Sequence, residues 1–162
     1  MTRRQAVAHA RHASPRHSLN ALALRATLHC LAGCAIGEVL GMVIGTANDL
    51  SNAATIALAV VLAFAFGYAF TVVPLRRAGL PWARVARLAF AADTASITIM
   101  EIVDNAIMLA IPGAMHAGLV APLFWISLAV SLLMAALAAY PVNRWLIARG
   151  KGHAAVHAAH EH

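Results

Sequence analysis

The chain has 162 residues, a length that suits one domain. Hydrophobic residues make up 62%, charged residues 11%, and the mean hydropathy is +0.76, whereas soluble domains are roughly half apolar and about a quarter charged. That excludes a soluble globular enzyme, a disordered chain and a disulfide-stapled mini-domain. The formal charge of +6 is concentrated beside apolar segments, which points to anionic lipid and not to nucleic acid.

Residues 1–25 are polar and basic, with Arg3, Arg4, Arg11, Arg16 and Arg25. No apolar run and small-residue cleavage site mark them as a secretory signal. They read as a basic N-terminal tail, either disordered or lying as a helix on the lipid surface.

Four apolar stretches follow, at 26–47, 53–75, 88–111 and 119–140. Each is long enough to cross a hydrocarbon core of ~30 Å at 1.5 Å per residue. The expected fold is an all-α integral membrane protein with four transmembrane helices in a bundle over 26–148. The links carry turn chemistry: Asn48 to Asn52, where Ser51 or Asn52 can cap the second helix, Arg76 to Pro81, and Pro112-Gly113. Pro141 is expected to close or kink the fourth helix, with Asn143-Arg144-Trp145 as an interfacial anchor. Trp82, Trp125 and Tyr140 near helix ends fit an aromatic belt.

The 12 Lys and Arg residues lie before the first helix, around the second link (Arg76, Arg77, Arg84, Arg87), or after the fourth helix (Arg144, Arg149, Lys151). With four spans these places share one side. The positive-inside rule makes that side cytoplasmic, so both termini are expected inside and the protein in the inner (plasma) membrane. Residues 149–162 form a His-rich tail. His153 and His157, with His160, have helical spacing and are secondary metal candidates beside the plainer reading of a solvated tail.

Ionised groups in lipid cost roughly 2.5–3.5 kcal/mol each on insertion scales. Yet four of the six acidic residues fall within the expected spans: Glu38, Asp93, Glu101 and Asp104. With Asp93 at zero on a helical wheel, Asp104 lies near ~20°, Met100 near about −20° and Glu101 near ~80°. Asn105 adds an amide. On the first helix Cys30, Cys34, Glu38 and Met42 recur every four residues and form one ridge. The adjacent ridge carries His29, Gly33, Gly37, Gly41 and Gly45. Those glycines make a close-packing surface for another membrane helix, here expected to serve a homo-oligomer. The cysteines are expected to be free thiols, since helical i, i+4 geometry suits a disulfide poorly.

If the first and third helices touch, Cys30 meets Asp93, Cys34 meets Ser96 or Ile97, and Glu38 meets Met100, Glu101 and Asp104. No basic residue is placed to neutralise these acids. They must be protonated, share protons or hold a cation. The expected site is therefore His29, Cys30, Cys34, Glu38, Asp93, Met100, Glu101, Asp104 and Asn105. Thiol, imidazole, thioether and carboxyl groups together suit copper or zinc, and the oxygen ligands alone suit harder ions or protons.

Several runs resemble a known family. They are His29-Cys30-Leu31-Ala32-Gly33-Cys34-Ala35-Ile36-Gly37-Glu38-Val39-Leu40-Gly41, Asp93-Thr94-Ala95-Ser96, Met100-Glu101-Ile102-Val103-Asp104-Asn105, Pro141-Val142-Asn143-Arg144-Trp145 and Gly150-Lys151-Gly152-His153 with His157. Together they resemble the bacterial membrane domain-of-unknown-function family numbered 4396, over about residues 26–157. The resemblance implies a small polytopic membrane protein without an assigned activity.

Three functions follow as expectations. The first is cation handling, of a transition metal or of protons, through the site between helices one and three. The second is a non-catalytic accessory subunit whose acids pair with a partner's basic residues. The third is a thiol or quinone redox protein, which lacks a Cys-x-x-Cys. The reading leans away from an enzyme. No phosphate loop, dinucleotide motif or nucleic-acid module is present.

Overall fold

The computed structural model describes residues 15–149. The first fourteen residues of the basic tail, and His153 and His157, lie outside them. Among the described residues there are four helices, α1 (Pro15–Ala47), α2 (Asn52–Arg77), α3 (Trp82–Ala110) and α4 (Pro122–Ala148), with a 3-10 turn at Ala114–His116 before α4. Three of them, α1, α2 and α4, are long and apolar enough to cross a membrane.

The helices are longer than the apolar stretches. α1 runs eleven residues upstream of residue 26, so the second half of the expected tail is helical. This extension packs rather than dangles: Ala23 and Ala26 are buried with Ile147, and Arg144 Nε donates to Asn20 Oδ1 at 2.8 Å. Pro141 neither closes α4 nor ends its packing, since the helix continues to Ala148. Its ring is exposed, and the donor it lacks removes one bond within the helix, to the Leu137 carbonyl. The turn signals behave as read. Ser51 caps α2, accepting from the Ala54 amide at 3.3 Å. Gly113 takes φ +81 just beyond α3, a left-handed conformation that favours glycine.

Cross-contacts define the topology. α1 packs on α2 and α4, and α3 packs on the same two, so α1 and α3 are the diagonal pair that meets across the interior. The α1–α2 interface explains the glycine ridge. Gly33 faces Gly67, Gly37 faces Ala63, Gly41 faces Ala59 and Gly45 faces Thr55. A Cβ built on Gly33 would lie 2.7 Å from the Gly67 Cα, closer than any side chain tolerates. The ridge is thus filled by α2 of the same chain, along its own stripe of small residues. Within one chain these glycines are therefore an intramolecular contact between α1 and α2. Ala92 of α3 is buried with Leu75 and Val85 beneath the second link.

Candidate functional site

The diagonal pairing turns the ridge of Cys30, Cys34 and Glu38 onto the acidic face of α3. All six groups concerned are buried: Cys30, Cys34, Glu38, Asp93, Glu101 and Asp104. The outward side of α3 instead carries Phe90, Ile102 and Leu109, each more than 60% exposed. Three layers stack along the bundle.

The layer nearest the basic end is hydrogen-bonded. Cys30 Sγ lies 3.9 Å from Asp93 Oδ1, and the Thr71 hydroxyl of α2 is within reach of Asp93. His29 Nε2 is 3.1 Å from Thr71 Oγ1, and the imidazole meets the Phe70 ring edge-on at 5.7 Å between centroids. Beside them Asn143 Nδ2 lies 3.0 Å from both Thr27 Oγ1 and Ser96 Oγ. One amide group from α4 therefore ties α1 to α3. The middle layer is soft and sparsely polar: Cys34 Sγ is 4.0 Å from Met100 Sδ, in a core with Ala63, Ile97 and Ala135.

The third layer is acidic. Glu38 approaches Glu101 and Asp104 closely enough for their carboxyls to share a hydrogen bond when one carries a proton. Among the described residues, Glu38 Oε1, both Glu101 carboxyl oxygens and both Asp104 carboxyl oxygens are buried without a hydrogen-bond partner. The Ser131 hydroxyl faces Asp104 but donates to the Leu128 carbonyl at 2.9 Å. Ser127, one turn along α4, is buried and also without a partner. A buried polar group left unmatched costs about 1–3 kcal/mol, so this layer requires either protons shared among the carboxyls or a cation.

One expected member stands apart. Asn105 donates to its own helix, Nδ2 to the Glu101 carbonyl oxygen at 3.0 Å. It lines a shallow groove between α2 and α3, where Ile56, Phe64 and Thr98 also lie and whose floor includes Glu101. His29 belongs to the layer nearest the basic end, where Thr71 links it to Asp93. The polar chemistry is also not confined to α1 and α3, as the count of charges had suggested. α2 supplies Thr71, and α4 supplies Ser127, Ser131 and Asn143. The signal was present: residues 127, 131, 135, 139 and 143 are Ser, Ser, Ala, Ala and Asn at four-residue spacing, a ridge that is buried throughout. Asn143, read as an interfacial anchor, is a core residue of that ridge.

Sulfur meets carboxyl at two points: Cys30 lies beside Asp93, and Cys34 lies beside both Met100 and Glu101, while Glu38, Glu101 and Asp104 turn to each other. Among the described residues no three His, Cys, Asp or Glu side chains gather as a metal would require. The layer of carboxyls alone matches protons or a small hard cation.

A family model described as "Domain of unknown function (DUF4396)" matches residues 20–152. No curated protein matches the chain, and no solved structure matches it.

Proposed function

The chain belongs to this domain-of-unknown-function family, and because the family description names no activity, we propose from the site itself that the protein handles protons inside a membrane through Glu38, Glu101 and Asp104. The observation that carries the reading is the set of five buried carboxyl oxygens with no partner on three facing side chains. Three carboxyls holding fewer than three protons pass a proton between neighbouring oxygens, and each transfer leaves the total charge of the cluster unchanged. Intramembrane acids turned inward are the usual parts of proton relays.

In this reading all four helices cross the bilayer. α3 has 29 residues, about 43 Å at 1.5 Å per residue, and its apolar outer side suits lipid while its acids face the bundle. The basic residues gather at one end, where Arg76 stacks on Trp82 at 4.4 Å and Arg149 on Trp145 at 4.1 Å. The positive-inside rule places that end, and both termini, in the cytoplasm of a cell bounded by this membrane.

The test is flux. The protein is reconstituted into vesicles holding a pH-sensitive dye, and a potassium diffusion potential drives protons inward. Wild type should acidify the lumen, and Glu38→Gln and Asp104→Asn should return the signal to that of empty vesicles. Folded wild-type protein that behaves as empty vesicles do, and that co-purifies with a basic membrane partner, would replace this reading with the accessory one. Burial weighs against that alternative, since the carboxyls are 1–7% exposed and, of the three, Glu101 alone borders the groove between α2 and α3.

A further inference from the structure

The first link closes over a small polar cavity at the end of the bundle remote from the arginines. Its volume is about 170 Å³, and its lining includes Met42, Thr46, Asp49, Asn52, Thr55 and Met115. That is room for on the order of five water molecules at ~30 Å³ each. The backbone holds Asp49 at φ +51, and the Leu50 amide donates to the Gly45 carbonyl at 2.9 Å. Asp49 thus takes the left-handed position that closes α1, where glycine or asparagine is the ordinary choice. The C-terminus of α1 and the N-terminus of α2 meet here, so their opposite dipole ends offset each other. The carboxylate is left as the net charge of the cavity.

No lysine or arginine competes with it, and the basic group nearest in sequence to the cavity lining is His116, next to Met115. The sequence has no Lys or Arg between Arg25 and Arg76, nor between Arg87 and Arg144. The arginines lie a helix length away, several times the ~8–10 Å over which salt screens a charge. Met42 follows Glu38 by one turn on α1 and, with Met115, packs against the apolar cluster of Met108, Phe124 and Leu128, so one apolar layer separates the cavity from the carboxyls.

We propose that this cavity is an access port for small hydrated cations, which Asp49 attracts and which leave it toward Glu38. Only the onward destination rests on the proton-handling reading; the cation preference of the port stands on the cavity itself.

The experiment is charge-selective thiol labelling in a neutral maltoside detergent. Thr46→Cys is introduced into the full chain, and modification at that position is followed by mass spectrometry, so the buried native cysteines remain in place. Rates with a trimethylammonium-ethyl and a sulfonatoethyl methanethiosulfonate are each normalised to free glutathione. The cationic reagent should react at least ~5-fold faster, as expected for one carboxylate close by in water. Adding Asp49→Asn, which tolerates the same left-handed backbone, should reduce that preference below ~2-fold. Asn52→Cys repeats the measurement should Thr46→Cys not fold. Equal rates for the two reagents, or a preference that survives Asp49→Asn, would overturn the port. A normal preference in a protein that moves no protons would leave the port standing and remove the reading of the carboxyl layer.

Discussion

Gly37 of α1 and Ala63 of α2 sit backbone against backbone, with no space at Gly37 for a Cβ. The atoms in the way belong to the main chain of α2, so no side-chain rotation relieves an added group. Gly37→Val should therefore destabilise the protein by about 1–3 kcal/mol or prevent α1 from docking. Gly118→Ala is the control: nothing lies within 4 Å of its Cβ position, and its effect should stay within about 0.5 kcal/mol. Unfolding titrations in mixed micelles compare the two. Equal stability would show that the α1–α2 zipper is loose.

Asn143 joins Thr27 and Ser96 through one amide nitrogen. Interhelical hydrogen bonds in membranes average about 0.6 kcal/mol and reach ~1.7. Asn143→Ala removes two of them and leaves a gap between α1, α3 and α4. It should cost about 1–3 kcal/mol in the same titration, while Arg144→Ala, on the exposed neighbour, should cost under ~0.5 kcal/mol. If the order were reversed, residues beyond Pro141 would be peripheral rather than core.

Glu38→Gln is expected to separate stability from activity. The amide supplies a donor to the Glu101 and Asp104 oxygens that now have none, and it removes an acid from a tight group of three. The variant should be more stable than wild type by on the order of 1 kcal/mol and inactive in the flux assay, the usual exchange at a functional site. A less stable variant would mean that Glu38 already carries the proton that holds the layer together.

Cys30 and Cys34 are free thiols with 0% and 1% exposure. Thiolate formation and reagent access both suffer in such surroundings. Labelling by N-ethylmaleimide should be on the order of 100-fold slower in the native protein than after unfolding in dodecyl sulfate. Rapid native labelling of either residue, located by mass spectrometry, would indicate that water reaches the middle layer and would revive a redox role.

The site was partly legible before the fold was known, for a specific reason. An acid within an apolar span must face inward, so a helical wheel alone aligns Asp93, Glu101 and Asp104, and four-residue spacing alone aligns Cys30, Cys34 and Glu38. Asn105, four residues beyond Glu101, bonds instead to its own helix, and His29 meets the site through the hydroxyl of Thr71, a residue that carries no charge to mark it. Ser131 and Asn143 escaped because hydroxyl and amide groups cost far less in lipid than charges do. They stand out only once the four-residue ridge of α4 is traced.

The order of residues by itself determined that the chain is helical, apolar and charged at one end, because hydropathy, turn residues and the placement of arginines act locally. The tertiary structure decided which helices are neighbours. Gly33, Gly37, Gly41 and Gly45 could have joined two copies of the chain, and they join α1 to α2 because the small residues of α2 match them along the whole contact. That choice sets α1 diagonally across from α3, and the diagonal is what brings Glu38 to Glu101 and Asp104.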